Sequence, residues 1–406
     1  MFKDVKKILV IKLRHIGDVL LTVPALRALK GGITPLSASG KTSYGGTTPP
    51  SVSVLVNSGT EEMLTGNPLV DEVIPFKRGI KGEGGDTPLG IAGRVSGELS
   101  FVREIRKRSF DMTVDLTGGD RAAIIGFLSG ARYRVGCALD CRGFAGKRLL
   151  YTHLAKRPDK RTHTALRDLG VVREFGFDTP DLSVDIYTSA EDDVYVDGVL
   201  KNAGIAAGAG FVHAHPTSRW LFKCWTDEGM AHVLDAIQKT GMRVVITTGP
   251  AEPEVKKARA IISRMKTAPV DLTGAFKLKH LACLSRRATL FFGVDSAPMH
   301  IAAATGARVV SIFGPSGAFD WGPWDNDGAR TWKRPPEANS PYPSRNGVQR
   351  FGKNVVIQKD WDCIPCGHDG CDGSKKSRCL DELDKDLALG AVMAAIEKIV
   401  NRDRES

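Results

Sequence analysis

The sequence predicts an α/β protein whose two halves are each a doubly wound, mainly parallel sheet. Three observations carry that expectation. Short apolar runs, the length of buried strands, alternate with longer segments of helical apolar spacing, the pattern of parallel strands joined by crossover helices. Residues 290–315 read as one complete strand–loop–helix–strand unit. A polar stretch around 178–185 separates two regions of similar build. Domains are therefore expected over 1–182 and 183–385, followed by a last amphipathic helix over 386–406.

Composition supports two soluble domains. A chain of 406 residues is long for one core, and 42% hydrophobic with 25% charged residues describes a globular protein. No apolar run approaches the roughly 20 residues of a membrane span. The start is basic, but only residues 8–11 are apolar before Lys12, too short for a signal peptide. A cytoplasmic protein is expected. The net charge of +11 favours an anionic partner: nucleic acid, acidic lipid or a phosphorylated glycan. The basic residues are scattered without interleaved aromatics, so nucleic acid is not the expected partner.

In chain order, residues 7–13 predict a buried strand, followed by Arg14-His15-Ile16-Gly17-Asp18. Val19, Leu20, Val23, Leu26 and Leu29 then recur at helical spacing, with Pro24 expected to kink the helix. Strand, glycine turn and helix start make a ligand-facing loop. Asp18 is either the helix N-cap or a carboxylate presented to substrate. Residues 31–50 are dominated by Gly, Ser, Thr and Pro and predict a mobile surface insertion. Strands are expected at 52–56, 70–75, 111–116 and 131–136, a loop over 77–97, and helices at 99–108, 121–129 and 162–175. In the second half, helices are expected at 190–203, 227–240 and 278–285, with strands at 210–213 and 243–248. A loop at 215–225, rich in basic and aromatic residues, follows the first of these strands.

The 290–315 unit concentrates the chemistry. An apolar strand at 290–294 gives way to Asp295 and Ser296, then Pro298 and an Ala-rich helix closed by Gly306. A second strand at 308–313 ends in Gly314-Pro315. Backbone amides over 296–299, from Ser296 through Ala297 to Met299, would point out of the helix start, where the dipole stabilises a phosphate. His300 lies on the same side of that turn. This reads as a diphosphate site; taken alone, a capped helix with a core-edge histidine accounts for the same residues. An acid beside a diphosphate would repel it, so Asp295 is expected to hold sugar hydroxyls or a cation. Asp325-Asn326-Asp327 lies among Gly, Pro and Trp and reads as turn chemistry rather than a metal-binding Asp-x-Asp. Four cysteines, Cys363, Cys366, Cys371 and Cys379, are spaced C-x2-C-x4-C-x7-C. In a cytoplasmic chain that density suggests a structural zinc or iron–sulfur group, or else free or redox-active thiols.

Four segments then occur in order: IGDVLLTVPAL at 16–26, SRWLFKCW at 218–225, DLTG at 271–274 and VDSAPMHIAAATG at 294–306, with FGPS at 313–316. With them the sequence resembles glycosyltransferase family 9, the ADP-heptose:lipopolysaccharide heptosyltransferases, the second and fourth segments most resembling the heptosyltransferase III branch. The resemblance implies a GT-B architecture: two Rossmann-like domains facing across a cleft, acceptor-binding over 1–182 and nucleotide-sugar-binding over 183–385, with the last helix crossing back to the first. It also implies inverting transfer of a heptose from ADP-heptose to the lipopolysaccharide inner core, at the anionic inner face of the inner membrane, without a cofactor. The residues of this chain suit that chemistry. Asp18 can be the base for the acceptor hydroxyl. Lys223, the helix-start amides and His300 can stabilise the departing diphosphate. Asp295 is then free to contact donor hydroxyls or orient Lys223, with Arg219 and Gly314 beside the donor. Arg14 and His15 are either contacts to acidic acceptor groups or a solvated turn. The 31–50 segment departs from the family, where a compact helix end and strand are usual. Two other functions are carried alongside. One is a catalytically silent nucleotide-sugar-binding protein; the other is a transferase for another nucleotide sugar or core position. A dehydrogenase fits worse, because the first strand–helix turn has no G-x-G-x-x-G.

Overall fold

The structure, a computed structural model, describes residues 2–31, 49–77, 88–138, 143–156, 158–159, 161–332 and 338–405. The insertion expected over 31–50 lies almost wholly outside the described residues. The chain divides into a first unit, Met1–Lys160 with Thr164–Leu182, and a second, Arg161–His163 with Ser183–Ser406.

Among the described residues the first unit holds six strands: β1 (Lys7–Lys12), β2 (Ser51–Asn57), β3 (Glu72–Phe76), β4 (Met112–Asp115), β5 (Tyr133–Cys137) and β6 (His153–Ala155). They lie in the order β3-β2-β1-β4-β5-β6 and every pairing is parallel. The second unit holds β7 (Phe211–His215), β8 (Arg243–Thr248), β9 (Val270–Thr273), β10 (Leu290–Val294), β11 (Val309–Phe313), β12 (Gln349–Phe351) and β13 (Asn354–Gln358). Their order is β12-β13-β11-β10-β7-β8-β9, parallel except for the β12–β13 pair. In both sheets the winding starts at a central strand, runs one way, then reverses. The reversal falls between β1 and β4, and again between β7 and β10. Ligand crevices of doubly wound sheets open outside the carboxyl ends of the strands at such reversals.

The central strands are apolar because helices cover both faces. Ile8, Leu9, Val10 and Ile11 of β1 and all of Leu290, Phe291, Phe292 and Val294 of β10 are fully buried. Burying one such side chain contributes about 1.5–3 kcal/mol, so these runs fix which segments lie inside.

Three differences from the sequence reading are local. The helix after β1 is two helices, Ile16–Leu20 and Val23–Gly31, and Pro24 sits in the first turn of the second, where its missing N–H costs nothing. The expected loop over 77–97 ends early: a helix runs Pro88–Lys107, begun at a proline and continued through its glycines. Strands β6 and β13 and the helix Glu252–Ile262 were not expected. The last helix runs Lys385–Glu405. Ala388, Val392, Ala395 and Ile396 join Leu234, Ile237 and Ile312 in the core of the second unit.

Candidate active site

The reversal in the second unit brings two separate sequence motifs together. β7 and β10 pair side by side, with His215 opposite Gly293. The loop after β7 ends in a single helical turn, Leu221–Lys223, and the loop after β10 begins at Asp295. Lys223 Nζ lies 2.7 Å from Asp295 Oδ2, the carboxylate buried and the lysine 23% exposed. Asp295 is fixed by its backbone, whose N–H donates to the Ile312 carbonyl at 3.0 Å. Gly293 is required for this approach: a Cβ there would stand 2.6 Å from the His215 carbonyl oxygen.

The helix Ala297–Ala304 starts beside that pair, with Ser296 as its extended N-cap residue. The Ser296 hydroxyl donates back to the Val294 carbonyl at 3.2 Å and does not cap the helix. Pro298 has no N–H, and the Met299 N–H is taken by the Ser296 carbonyl at 3.1 Å. The amides of Ser296 and Ala297 are left without a protein acceptor among the described residues. Two amides are therefore open at the helix start, where a run over 296–299 was expected. The Met299 side chain is fully buried. His300 is buried on the same helix. Gly314 is explained by packing, since a Cβ would stand 2.7 Å from Leu380 Cδ1, and its carbonyl accepts from Gln358 Nε2 at 2.7 Å.

Around this pair lie polar groups that the sequence reading passed over. Thr217 Oγ1 donates to Glu254 Oε2 at 3.3 Å, and burial pushes the Glu254 carboxyl up. Exposed Arg219 lies 5.4 Å from the Trp220 ring centroid and favours the charged form of Glu254. Beneath the loop, the Thr247 hydroxyl lies 2.7 Å from His213 Nε2 and 2.9 Å from His215 Nδ1. Burial pushes both histidines down, His215 to about 3, so both are neutral. Alternation along β7 put both on one face; their shared hydroxyl on β8 had no signal in the sequence. Glu254, four residues after the Thr-Gly-Pro that closes β8, could have been found by its place at a strand's carboxyl end.

The cysteine segment supports this region. The Ser377 hydroxyl donates to the Phe222 carbonyl at 2.6 Å, and the Gly367 N–H donates to the Pro315 carbonyl at 3.0 Å. Cys363 and Cys366 are exposed, Cys371 half-buried and Cys379 buried, all free. Burial pushes the Cys379 thiol up to about 12, and the other three add to the effect. Among the described residues no group of three or more His, Cys, Asp or Glu is arranged to hold a metal, so the expected ligand set is not assembled. Asp325 does serve a turn: it caps the helix Asn326–Thr331 through the Gly328 N–H at 2.8 Å and accepts from the Lys353 N–H at 2.9 Å.

At the reversal in the first unit, the loop after β1 is stitched to the exit of β4. Arg14 Nη2 donates to the Thr117 carbonyl at 2.6 Å, and the Leu13 N–H donates to Thr117 Oγ1 at 2.8 Å. Arg14 and His15 are exposed. Asp18 is half-buried and is not the N-cap; His15 holds that place, and Asp18 Oδ2 accepts the His15 N–H at 3.3 Å from the third helical position. One long hydrogen bond leaves most of its accepting capacity open. Behind it, Lys12 Nζ lies 2.5 Å from Asp168 Oδ2, which also accepts from Thr22 Oγ1 at 3.0 Å. Further along, Tyr151 donates to Asp115 Oδ2 at 2.7 Å, and burial pushes the Asp115 carboxyl up.

Residues 98–346 match glycosyltransferase family 9 (heptosyltransferase). Lipopolysaccharide heptosyltransferase 3 of Escherichia coli strain K12 is 28% identical over 321 residues, covering 79% of this chain and 86% of that protein. Two solved structures share the fold. The glycosyl transferase family 9 protein of Veillonella parvula DSM 2008 aligns with a TM-score of 0.73 at 20% identity, covering 98% of this chain and 99% of that one. ADP-heptose lps heptosyltransferase II of E. coli aligns with a TM-score of 0.65 at 16% identity, over 97% and 99%.

Proposed function

Because the chain belongs to glycosyltransferase family 9, the heptosyltransferases, we propose that it transfers L-glycero-D-manno-heptose from ADP-heptose to a hydroxyl of the lipopolysaccharide inner core. The observation that carries this reading is the Lys223–Asp295 pair at 2.7 Å beside the two open amides of Ser296 and Ala297. A departing diphosphate needs positive charge and N–H donors where its own charge develops. Lys223 supplies the charge and the helix start supplies the donors. Asp295 orients the lysine and offers its remaining oxygen to donor hydroxyls. Asp18 accepts the proton of the acceptor hydroxyl as that oxygen bonds to the anomeric carbon. The bond from that carbon to the diphosphate breaks on the opposite side, so the configuration inverts, and ADP leaves with the electron pair. Charge compensation comes from protein groups, and the transfer is metal-independent. Arg14 and His15 contact acidic groups of the acceptor. The cysteine segment holds the Phe222 and Pro315 backbones that flank the donor site.

The E. coli relative is named for lipopolysaccharide, a glycan joined to a lipid, and the net charge of +11 suits an anionic lipid surface. No helix among the described residues is long and apolar enough to cross a bilayer, so peripheral attachment at the inner face of the inner membrane is the proposed location. Incubation with ADP-heptose and a panel of truncated core acceptors, read by mass spectrometry, tests the function. An acceptor heavier by one heptose is the expected product. ADP-heptose binding without any transfer across the panel would favour the catalytically silent binding protein instead.

A further inference from the structure

The helix Asp120–Leu128 follows β4 in the first unit. Asp120, Ile124 and Phe127 are four and three residues apart, which places them on one stripe of that helix. At the start of the stripe the segment 143–150 is seated against it. Lys147 Nζ lies 3.3 Å from Asp120 Oδ1, and a Cβ on Gly143 would collide with the same carboxylate. Along the rest of the stripe, Ile124 and Phe127 are 41% and 46% exposed, while Phe144 and Leu149 on the seated segment are 44% and 81% exposed.

Single exposed apolar residues are ordinary; four large ones on two touching elements are not. Arginines accompany them. Arg121 and Arg148 are exposed, and the Arg134 guanidinium lies 5.4 Å from the Phe127 ring centroid. Phe144 and Arg148 also line a cavity of about 460 Å³, together with Lys147, Tyr151 and Leu154. Aromatic and aliphatic side chains mixed with arginine suit the boundary between headgroups and acyl chains, where the rings enter and the cations meet anionic headgroups. The charge complementarity is that of the whole chain, at +11.

We propose that this face, formed by the helix Asp120–Leu128 and the segment 143–150, docks on the surface of a bilayer containing anionic lipid. The proposal rests on the reading that the acceptor is a lipid-anchored glycan, and it names the surface that brings the enzyme to it. The cavity shares Phe144 and Arg148 with the docking face, where the polar part of such a lipid would reach it.

Flotation of the full chain with vesicles of phosphatidylcholine alone, and with added phosphatidylglycerol, tests it at low and high salt. The variants are Phe127→Ser combined with Leu149→Ser, and Arg121→Glu separately. Melting curves, sedimentation velocity and transfer to a water-soluble truncated acceptor are measured on the same preparations. The wild type is expected to float with the anionic vesicles at low salt and to be released by salt. The double variant should lose roughly tenfold or more of its bound fraction with melting and soluble-acceptor transfer unchanged. Equal flotation of wild type and double variant would overturn the docking face while leaving membrane attachment standing. A wild type that floats with no vesicle, yet transfers heptose to the soluble acceptor, would overturn the proposal and spare the catalytic reading. A wild-type dimer broken by the double substitution would instead make the face a self-association surface.

Discussion

Lys12–Asp168 in the first unit and Lys223–Asp295 in the second are lysine–aspartate pairs placed where the strand order of a sheet reverses, at 2.5 and 2.7 Å. Lys12 closes β1 and also donates to the Leu116 carbonyl beyond β4; Lys223 follows β7, and Asp295 follows β10 directly. Their surroundings differ. The Lys12 side chain is 3% exposed and bonded to two acceptors inside the fold, whereas that of Lys223 is 23% exposed. Burial raises the Asp168 carboxyl above its ordinary value even with Lys12 beside it. A pair closed to water stabilises the unit it lies in. A pair with an open side can exchange part of its interaction for a ligand. The same chemistry at the same topological position is thus closed to water in one unit and open to it in the other.

The largest expected effect falls on the closed pair. Lys12→Ala leaves Asp168 buried with Thr22 as its remaining side-chain partner among the described residues, and breaking a buried pair in this way costs about 3–5 kcal/mol. The melting temperature of the first unit should drop accordingly, with Lys12→Ala harder to purify folded than any other variant named here. A melting temperature equal to wild type would mean that the two pairs are equally open and would remove the contrast between them.

Next is Asp18, which stands in front of the closed pair. Asp18→Asn keeps the oxygen that accepts the His15 N–H but cannot take a proton. Turnover should fall roughly a hundredfold or more, with ADP-heptose affinity and melting little changed. If Asp18→Asn turns over at near the wild-type rate, Asp18 serves the helix start alone and the base lies elsewhere.

The third expectation concerns the support under the open pair. His213 and His215 have folded pKa values below the ordinary 6.5, that of His215 about 3. A depressed folded value means the unfolded chain takes the proton first. Their stabilisation is therefore complete above about pH 6.5 and is lost as pH falls towards the folded values, each histidine costing about 1.4 kcal/mol per pH unit. Melting curves between pH 7 and 4 should show the second unit weakening with this slope, and His215→Gln should flatten it. An unchanged slope would place the acid sensitivity in other groups.

Much of this was legible in the sequence, for identifiable reasons. β8 and β10 are legible to the residue because apolar runs between turn residues admit few other conformations. Asp295, Ser296 and Lys223 were picked out because strand ends and helix starts announce themselves in residue type. The rest depends on distance in the fold rather than spacing in the chain. That Lys223 meets Asp295, 72 residues away, follows from β7 and β10 lying side by side. Which amides at 296–299 stay open is decided by Pro298 and by one carbonyl. The helix at Asp18 starts three residues earlier than the apolar period suggests, so its N-cap is His15 rather than Asp18. Asp115 and Tyr151, 36 residues apart, have no local pattern that joins them.

The central claim is that the open pair and the helix start beside it receive the diphosphate of the donor. Calorimetric titration of ADP into wild type and Lys223→Ala, each with and without a chelator and each checked by melting, tests it most directly. The account predicts ADP binding that survives the chelator and weakens roughly tenfold or more in Lys223→Ala, since a charge-assisted contact to phosphate is lost. ADP binding of wild-type strength in a folded Lys223→Ala, or binding abolished by the chelator in a folded wild type, would contradict it.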